Sequence, residues 1–219
     1  MVLIIPSRIW EYIIAGLAII LAPGPSVLFT IARAIAWGRL TAVLTCLGNT
    51  FGMFTVSVVV AFGLGPIFQH NHTIYITMQW MGALYLVYLG IMAIREARTH
   101  AAQMTTLKGS KPTYWKTIRE GYMVGVLNPK GIIFFAAILP QFTDSSKGHL
   151  TSQLLLLGFI FVFLGFFCDS GCGILAGSFR NWLASNDRRL VQLRIVGGVV
   201  MMGLGVITFV NSLLQKKIN

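Results

Sequence analysis

Six long apolar stretches divide this chain, near residues 9–31, 41–65, 74–94, 121–142, 153–179 and 195–214. A helix needs about 20 such residues to cross the hydrocarbon of a bilayer. The pattern predicts an all-α membrane protein with about six transmembrane helices. Composition agrees: 56% of the 219 residues are apolar and only 11% are charged, against about 25% charged in a soluble domain. A surface with so few charges suits lipid rather than water.

Net charge, +11, invites a nucleic-acid reading, but a nucleic-acid binder needs a basic face on a folded domain. Here the basic residues sit between the apolar runs, where the positive-inside rule places them. The loops after the first, third and fifth runs hold twelve Lys and Arg residues, among them Arg33, Arg39, Lys116 and Arg119. The opposite side holds Arg8, Lys147, Lys216 and Lys217. This bias predicts both termini outside and the basic loop 95–120 in the cytoplasm. Arg8, the first run and Ala34-Ile35-Ala36 loosely mimic a signal peptide. That run is long for a signal peptide's apolar core and contains Pro-Gly-Pro, so it reads as a retained first span. Cys46, Cys168 and Cys172 all lie in apolar stretches, which argues against a disulfide framework. Cys168 and Cys172, four residues apart with no histidine near, make a poor metal site. Neither a metal nor a cofactor is expected.

The basic loop separates three spans from three, giving repeats over 1–94 and 121–219. With an odd number of crossings in each, the second must start on the opposite side, so related halves form a 3+3 inverted repeat. Pro23-Gly24-Pro25 interrupts the first span and Asn128-Pro129-Lys130-Gly131 the fourth. Gly82 and Gly90 in the third span have counterparts in Gly197 and Gly205 of the sixth. Proline removes a backbone donor, and unpaired backbone groups at membrane depth persist only where protein or water satisfies them. Paired breaks in helices 1 and 4 therefore point to a central site, where helix ends offer amides to a carboxylate and carbonyls to an amine. Simple packing kinks are the alternative.

Only Lys130 and Asp169 place charge well inside the predicted spans, each at a cost of about 2.5–3.5 kcal/mol on insertion scales. Their opposite signs allow a pair. Asp169 is the candidate to carry a proton or meet a substrate amine, and Lys130 to keep Asp169 ionised or meet a carboxylate; a purely structural ion pair is the alternative. Asn49, Thr50, Gln79, Tyr85, Tyr88 and Gln141 are lesser polar candidates. Gly48/Gly52, Gly121/Gly125 and Gly173/Gly177 are small-xxx-small pairs, expected at close helix contacts within the bundle or in a homodimer. No phosphate-binding loop, zinc motif, nucleophile elbow or carboxylate pair is present, which excludes ATP-driven transport by this chain alone and leaves no basis for an enzyme.

The run Gly16 to Phe29 with Ala22-Pro23-Gly24-Pro25-Ser26, the stretch Gly82 to Gly90, and Asn128-Pro129-Lys130-Gly131 followed by Pro140-Gln141-Phe142 together resemble the LysE/RhtB family of amino-acid exporters, in order and over essentially the whole chain. The resemblance implies a small secondary exporter in a prokaryotic cytoplasmic membrane, moving amino acids or close derivatives outward in exchange for protons. Many members of that family carry Asp directly after the second glycine of span 2; here that place is Met53. The resemblance therefore leaves Asp169 as the intramembrane acid available for coupling. A channel-like or accessory membrane subunit without coupled transport is the alternative function.

Overall fold

The computed structural model describes residues 5–22, 24–63, 72–97, 111–179 and 187–218. Regular structure over these residues is all helix: α1 (Ile9–Leu21), α2 (Pro25–Trp37), α3 (Arg39–Gly63), α4 (His72–Arg95), α5 (Tyr114–Val126), α6 (Pro129–Ile133), α7 (Leu150–Ser178) and α8 (Asp187–Ile218). α6 continues through a π-helical turn, Phe134–Ile138, into a 3-10 turn, Leu139–Phe142. Pro140 explains that change of register. It has no N–H and its ring would strike the carbonyl one turn back, so the ladder widens before it.

Each apolar run read from the sequence is helical over its described part. α3 and α7 are long and apolar enough to cross a membrane alone. α1 with α2, and α5 with the segment from Pro129 to Phe142, qualify as broken spans bent by 49° and 45°. α4 and α8 carry shorter apolar stretches, Trp80–Arg95 and Ile195–Val210. The bounds differ from expectation at the broken spans. The first extends to Trp37 rather than 31, and the fourth begins at Tyr114 rather than 121. A break and a bend take residues out of the helical rise, so more residues are needed for the same crossing. Arg33 and Glu120 consequently lie within helices, not in the loops to which the sequence assigned Arg33. Gly38 makes the corner between α2 and α3, at a φ of 89° that favours glycine.

Large apolar side chains cover the outside: Trp10 is 74% exposed, and Phe51, Val59, Phe163, Phe167 and Ile207 are all exposed. This is the surface of a chain whose solvent is hydrocarbon. Since lipid provides no hydrophobic force between helices, close packing must hold them together. The small-residue pairs do so. Any Cβ added at Gly48 or Gly52 of α3 would strike the backbone of Ile118 or Tyr122 in α5. Any added at Gly121 or Gly125 of α5 would strike the backbone of Thr45 or Asn49 in α3. The two pairs interlock, backbone on backbone. Gly90 and Gly198 do the same between α4 and α8, and Gly205 of α8 lies against the backbone of Ala83. Gly173 packs on Thr30 and Ala42, and Gly177 on Arg39. All three pairs are thus used inside the chain, and they no longer argue for a homodimer.

Beyond the bundle, fully buried Gln153 ties the 143–149 connection to α7, accepting from the Asp144 amide at 2.7 Å and donating to the Asp144 and Gly148 carbonyls at 2.8 Å each. The Ser146 and Ser7 hydroxyls hold the Asp144 carboxyl below the usual carboxylate range.

Overpacking a tight contact costs about 1–3 kcal/mol. Gly121→Val should therefore lower the melting temperature of the purified protein, whereas Gly203→Val, where an added Cβ meets nothing, should leave it unchanged. Equal effects of the two substitutions would contradict the interlocked packing.

Candidate substrate site

The two breaks meet. α1 stops at Leu21, with Ala22 extended, and α2 restarts at Pro25 after an extended Gly24. Across the bundle α5 stops at Val126, and Asn128 precedes Pro129 at the start of α6. Proline suits the first helical position, where an amide would have no helical partner. The carbonyls before the break are the problem. In an unbroken helix the carbonyl of Ile19 would accept from residue 23, which is proline and has no N–H to donate.

Lys130 supplies the missing donor. Its ammonium Nζ donates to the carbonyls of Ile19 and Ala22, at 2.9 Å each. Gly24 leaves room for its path: a Cβ there would stand 3.1 Å from both Cε and Nζ of Lys130, and the lysine would have to shift by a few tenths of an ångström. Asn128 joins the breaks a second time. Its Oδ1 accepts from the Lys130 amide at 3.2 Å, capping α6, and its Nδ2 donates to Ser26 Oγ of α2 at 3.1 Å. Asn128 and Lys130 are both buried. The fourth span therefore closes the hydrogen-bond deficit of the first.

Between the breaks, α3 and α7 lies a cavity of about 30 Å³ lined by Ser26, Asn49, Met53, Asn128, Lys130 and Asp169. Its volume is close to the share of one water molecule in the liquid. Asn49 Oδ1 is buried there without a hydrogen-bond partner. The structure thus brings Asn49, Asn128, Lys130 and Asp169 together, with Gly24 against Lys130 and Pro25 and Pro129 starting the two helices. Pro23 lies outside the described residues. No direct ion pair joins Lys130 to Asp169. The pairing that their charges allowed gives way to the carbonyls of Ile19 and Ala22, the first of which has no helical donor at Pro23, and Asp169 lines the cavity. Met53 lines the same cavity and packs against Gly131, so a neutral thioether stands at this part of the wall.

The lesser polar candidates divide. Thr50 lines the cavity, but its hydroxyl donates to the Cys46 carbonyl at 2.9 Å. Gln141 donates to the Ala137 carbonyl of its own helix at 2.8 Å. Tyr85 and Tyr88 pack on one another, with ring centroids 5.8 Å apart. The side chain of Gln79 lies outside the described residues.

Two layers flank the cavity. On the α1 side is an apolar plug: Phe134 stacks on Phe161 at 4.3 Å, Phe135 meets Phe161 edge-on, and Tyr12 meets Phe142 edge-on at 5.3 Å while donating from its hydroxyl to the Leu157 carbonyl at 2.6 Å. On the α2 side Arg33 donates from Nη2 to Glu120 Oε2 at 2.6 Å. Sequence reading missed this pair because it placed Arg33 in a loop. The signal was available in Phe29, Arg33 and Trp37, whose spacing of four puts aromatic, cation and aromatic on one helix face.

A family model described as LysE type translocator matches residues 17–212. A homoserine/homoserine lactone efflux protein of Salmonella typhimurium is 27% identical over 196 residues, covering 88% of this chain and 92% of its own length. An uncharacterized membrane protein of Vibrio cholerae is 26% identical over 201 residues, covering 91% and 96%. Another, YrhP of Bacillus subtilis, is 23% identical over 203 residues, covering 90% and 96%. No solved structure matches.

Replacing Lys130 by methionine keeps most of the volume and removes both bonds across the first break. Each buried carbonyl left without a donor costs about 1–3 kcal/mol, so Lys130→Met should melt well below the parent protein in a thermal scan. An unchanged melting temperature would show that the breaks are held by something else.

Proposed function

This chain belongs to the LysE-type translocator family, and we propose that it is a secondary exporter of amino acids or close derivatives, of the homoserine type, driven by exchange for protons. It is a multi-pass membrane transport protein and not an enzyme. The single observation that carries the substrate reading is the cavity between the two breaks. It sets the N-terminal end of α2, at Ser26 and Val27, near Asp169 and the unpartnered Asn49 Oδ1. A helix N-terminus favours a carboxylate, and a carboxylate with an amide oxygen favours an ammonium. An α-amino acid carries both groups on one carbon. The relative named for efflux of homoserine and its lactone supports a small, polar, uncharged side chain.

The cavity is too small for such a substrate as it stands, so loading requires the broken spans to hinge. Breaks in both spans provide the hinges, and the opposed placement of α1–α2 and α5–α6 around one site is what an inverted repeat would generate. Asp169 carries the coupling proton in this reading. It replaces the acid that Met53 does not supply, and it lines the cavity without a direct ion pair to Lys130. The bias of basic residues puts the α2–α5 end of the site toward the cytoplasm, with both termini outside.

The direct test is an efflux screen of the twenty amino acids, homoserine and homoserine lactone from preloaded cells, with and without an uncoupler. Export of one or a few compounds that collapses with the uncoupler is the expected result. Export that ignores the uncoupler would favour the channel-like alternative, and no export would reject transport of amino acids. Asp169→Asn should abolish gradient-driven efflux while leaving the amount of protein in the membrane unchanged. Full transport by that variant would remove Asp169 from the proton path.

A further inference from the structure

The Arg33–Glu120 pair is built in a way that packing alone does not explain. Arg33 is 2% exposed, yet only Nη2 has an acceptor; Nε and Nη1 are buried with none. Its guanidinium lies over Phe29 at 4.9 Å and Trp37 at 5.2 Å. Buried donors without partners are costly, and a guanidinium is shaped to give two parallel bonds to one carboxylate. Glu120 supplies only one. Glu120 is itself 39% exposed, with Oε1 4.0 Å from Lys116 Nζ. Arg33 stands eight residues beyond Pro25 and Glu120 eight before Asn128, so each is about 12 Å from its break at the helical rise. The pair therefore ties the second half of one broken span to the first half of the other, at matched depth.

A cleft of about 830 Å³ opens at this pair, between α2 and α5, with Trp37, Trp115, Lys116 and Arg119 also on its walls. The central cavity, at about 30 Å³, admits no amino acid, whereas this cleft has ample room. We propose that Arg33 and Glu120 form the entry subsite for an α-amino-acid zwitterion. The substrate carboxylate takes Arg33 from Glu120, its ammonium takes Glu120, and the tie between the two broken spans is released. The exchange replaces one ion pair by two and changes no net charge in the cleft. A purely anionic ligand such as a lipid phosphate would instead take Arg33 and leave Glu120 with only Lys116, 4.0 Å away, beside an added negative charge. This inference rests on the proposed export of amino acids and adds where, and by which groups, they are first bound.

The experiment compares the amino acid most strongly exported in the efflux screen with its carboxamide, which keeps the ammonium and lacks the carboxylate. Transport into the medium is measured in cells, and in proteoliposomes with and without anionic phospholipid, for the parent protein, Arg33→Gln, Arg33→Lys and Glu120→Gln. Arg33→Gln should raise the half-saturating concentration of the amino acid by about tenfold or more and leave that of the carboxamide within about twofold. Arg33→Lys, which keeps the charge and loses the fork, should shift the same ratio less. Glu120→Gln should weaken both compounds, since both present the ammonium. The ratio of the two compounds does not depend on how much protein reaches the membrane, and Arg33→Lys gives it if Arg33→Gln does not fold. Equal losses for acid and carboxamide, or no loss, would overturn the subsite while leaving export intact. So would an Arg33→Gln defect that appears only with anionic phospholipid, which marks a lipid site. A parent protein that exports no amino acid would overturn the function and the subsite together.

Discussion

The ammonium of Lys130, donating to the carbonyls of Ile19 and Ala22, is the contact on which the rest of this protein depends. A broken helix in hydrocarbon leaves backbone groups that neither lipid nor a neighbouring apolar side chain can satisfy. The first span creates that deficit with its proline and glycine, and the fourth span fills it from its own break. A lysine inside a bilayer is costly by itself. It persists here because the carbonyls need a donor as much as the ammonium needs acceptors. Asn128, capping its own helix and reaching Ser26, makes the same connection in neutral form.

Close helix packing makes that contact geometrically possible. α3 is brought to within backbone contact of α5 by the interlocked Gly48, Gly52, Gly121 and Gly125, and carries Asn49 and Met53 to the cavity as a result. α7 joins from the other side, with Gly158 seated on Ser57 and Asp169 at the cavity wall. Close packing therefore holds the broken spans to their neighbours on α3 and α7, while the breaks themselves lie at the site. Motion during transport has two natural pivots, and the polar groups that would meet a substrate sit between them.

Much of this was legible in the sequence. The apolar runs, the paired breaks, the two intramembrane charges and the glycine pairs all follow from rules that act over a few residues: span length, the missing proline donor, the cost of a buried charge. What escaped depended on a partner distant in sequence. Nothing local to Lys130 says that its acceptors are carbonyls more than a hundred residues earlier rather than Asp169. Arg33 looked like a loop residue because a broken span was assigned the length of an intact one. Once α2 runs to Trp37, Arg33 lies inside a helix, opposite Glu120. The π-helical turn before Pro140 is consistent with that proline, while the packing of Phe134 and Phe135 on Phe161 joins residues distant in sequence.

On the proposed mechanism a substrate binds between the two breaks, in a site that opens in turn to each side. Thr50 lines that cavity from α3. A single cysteine at Thr50, in a chain otherwise free of cysteine, reports on it through its rate of reaction with a membrane-impermeant thiol reagent. Reagent added from either side should reach the cysteine, and the exported amino acid should slow both reactions. Labelling from either side at a rate that the exported amino acid leaves unchanged would contradict that mechanism.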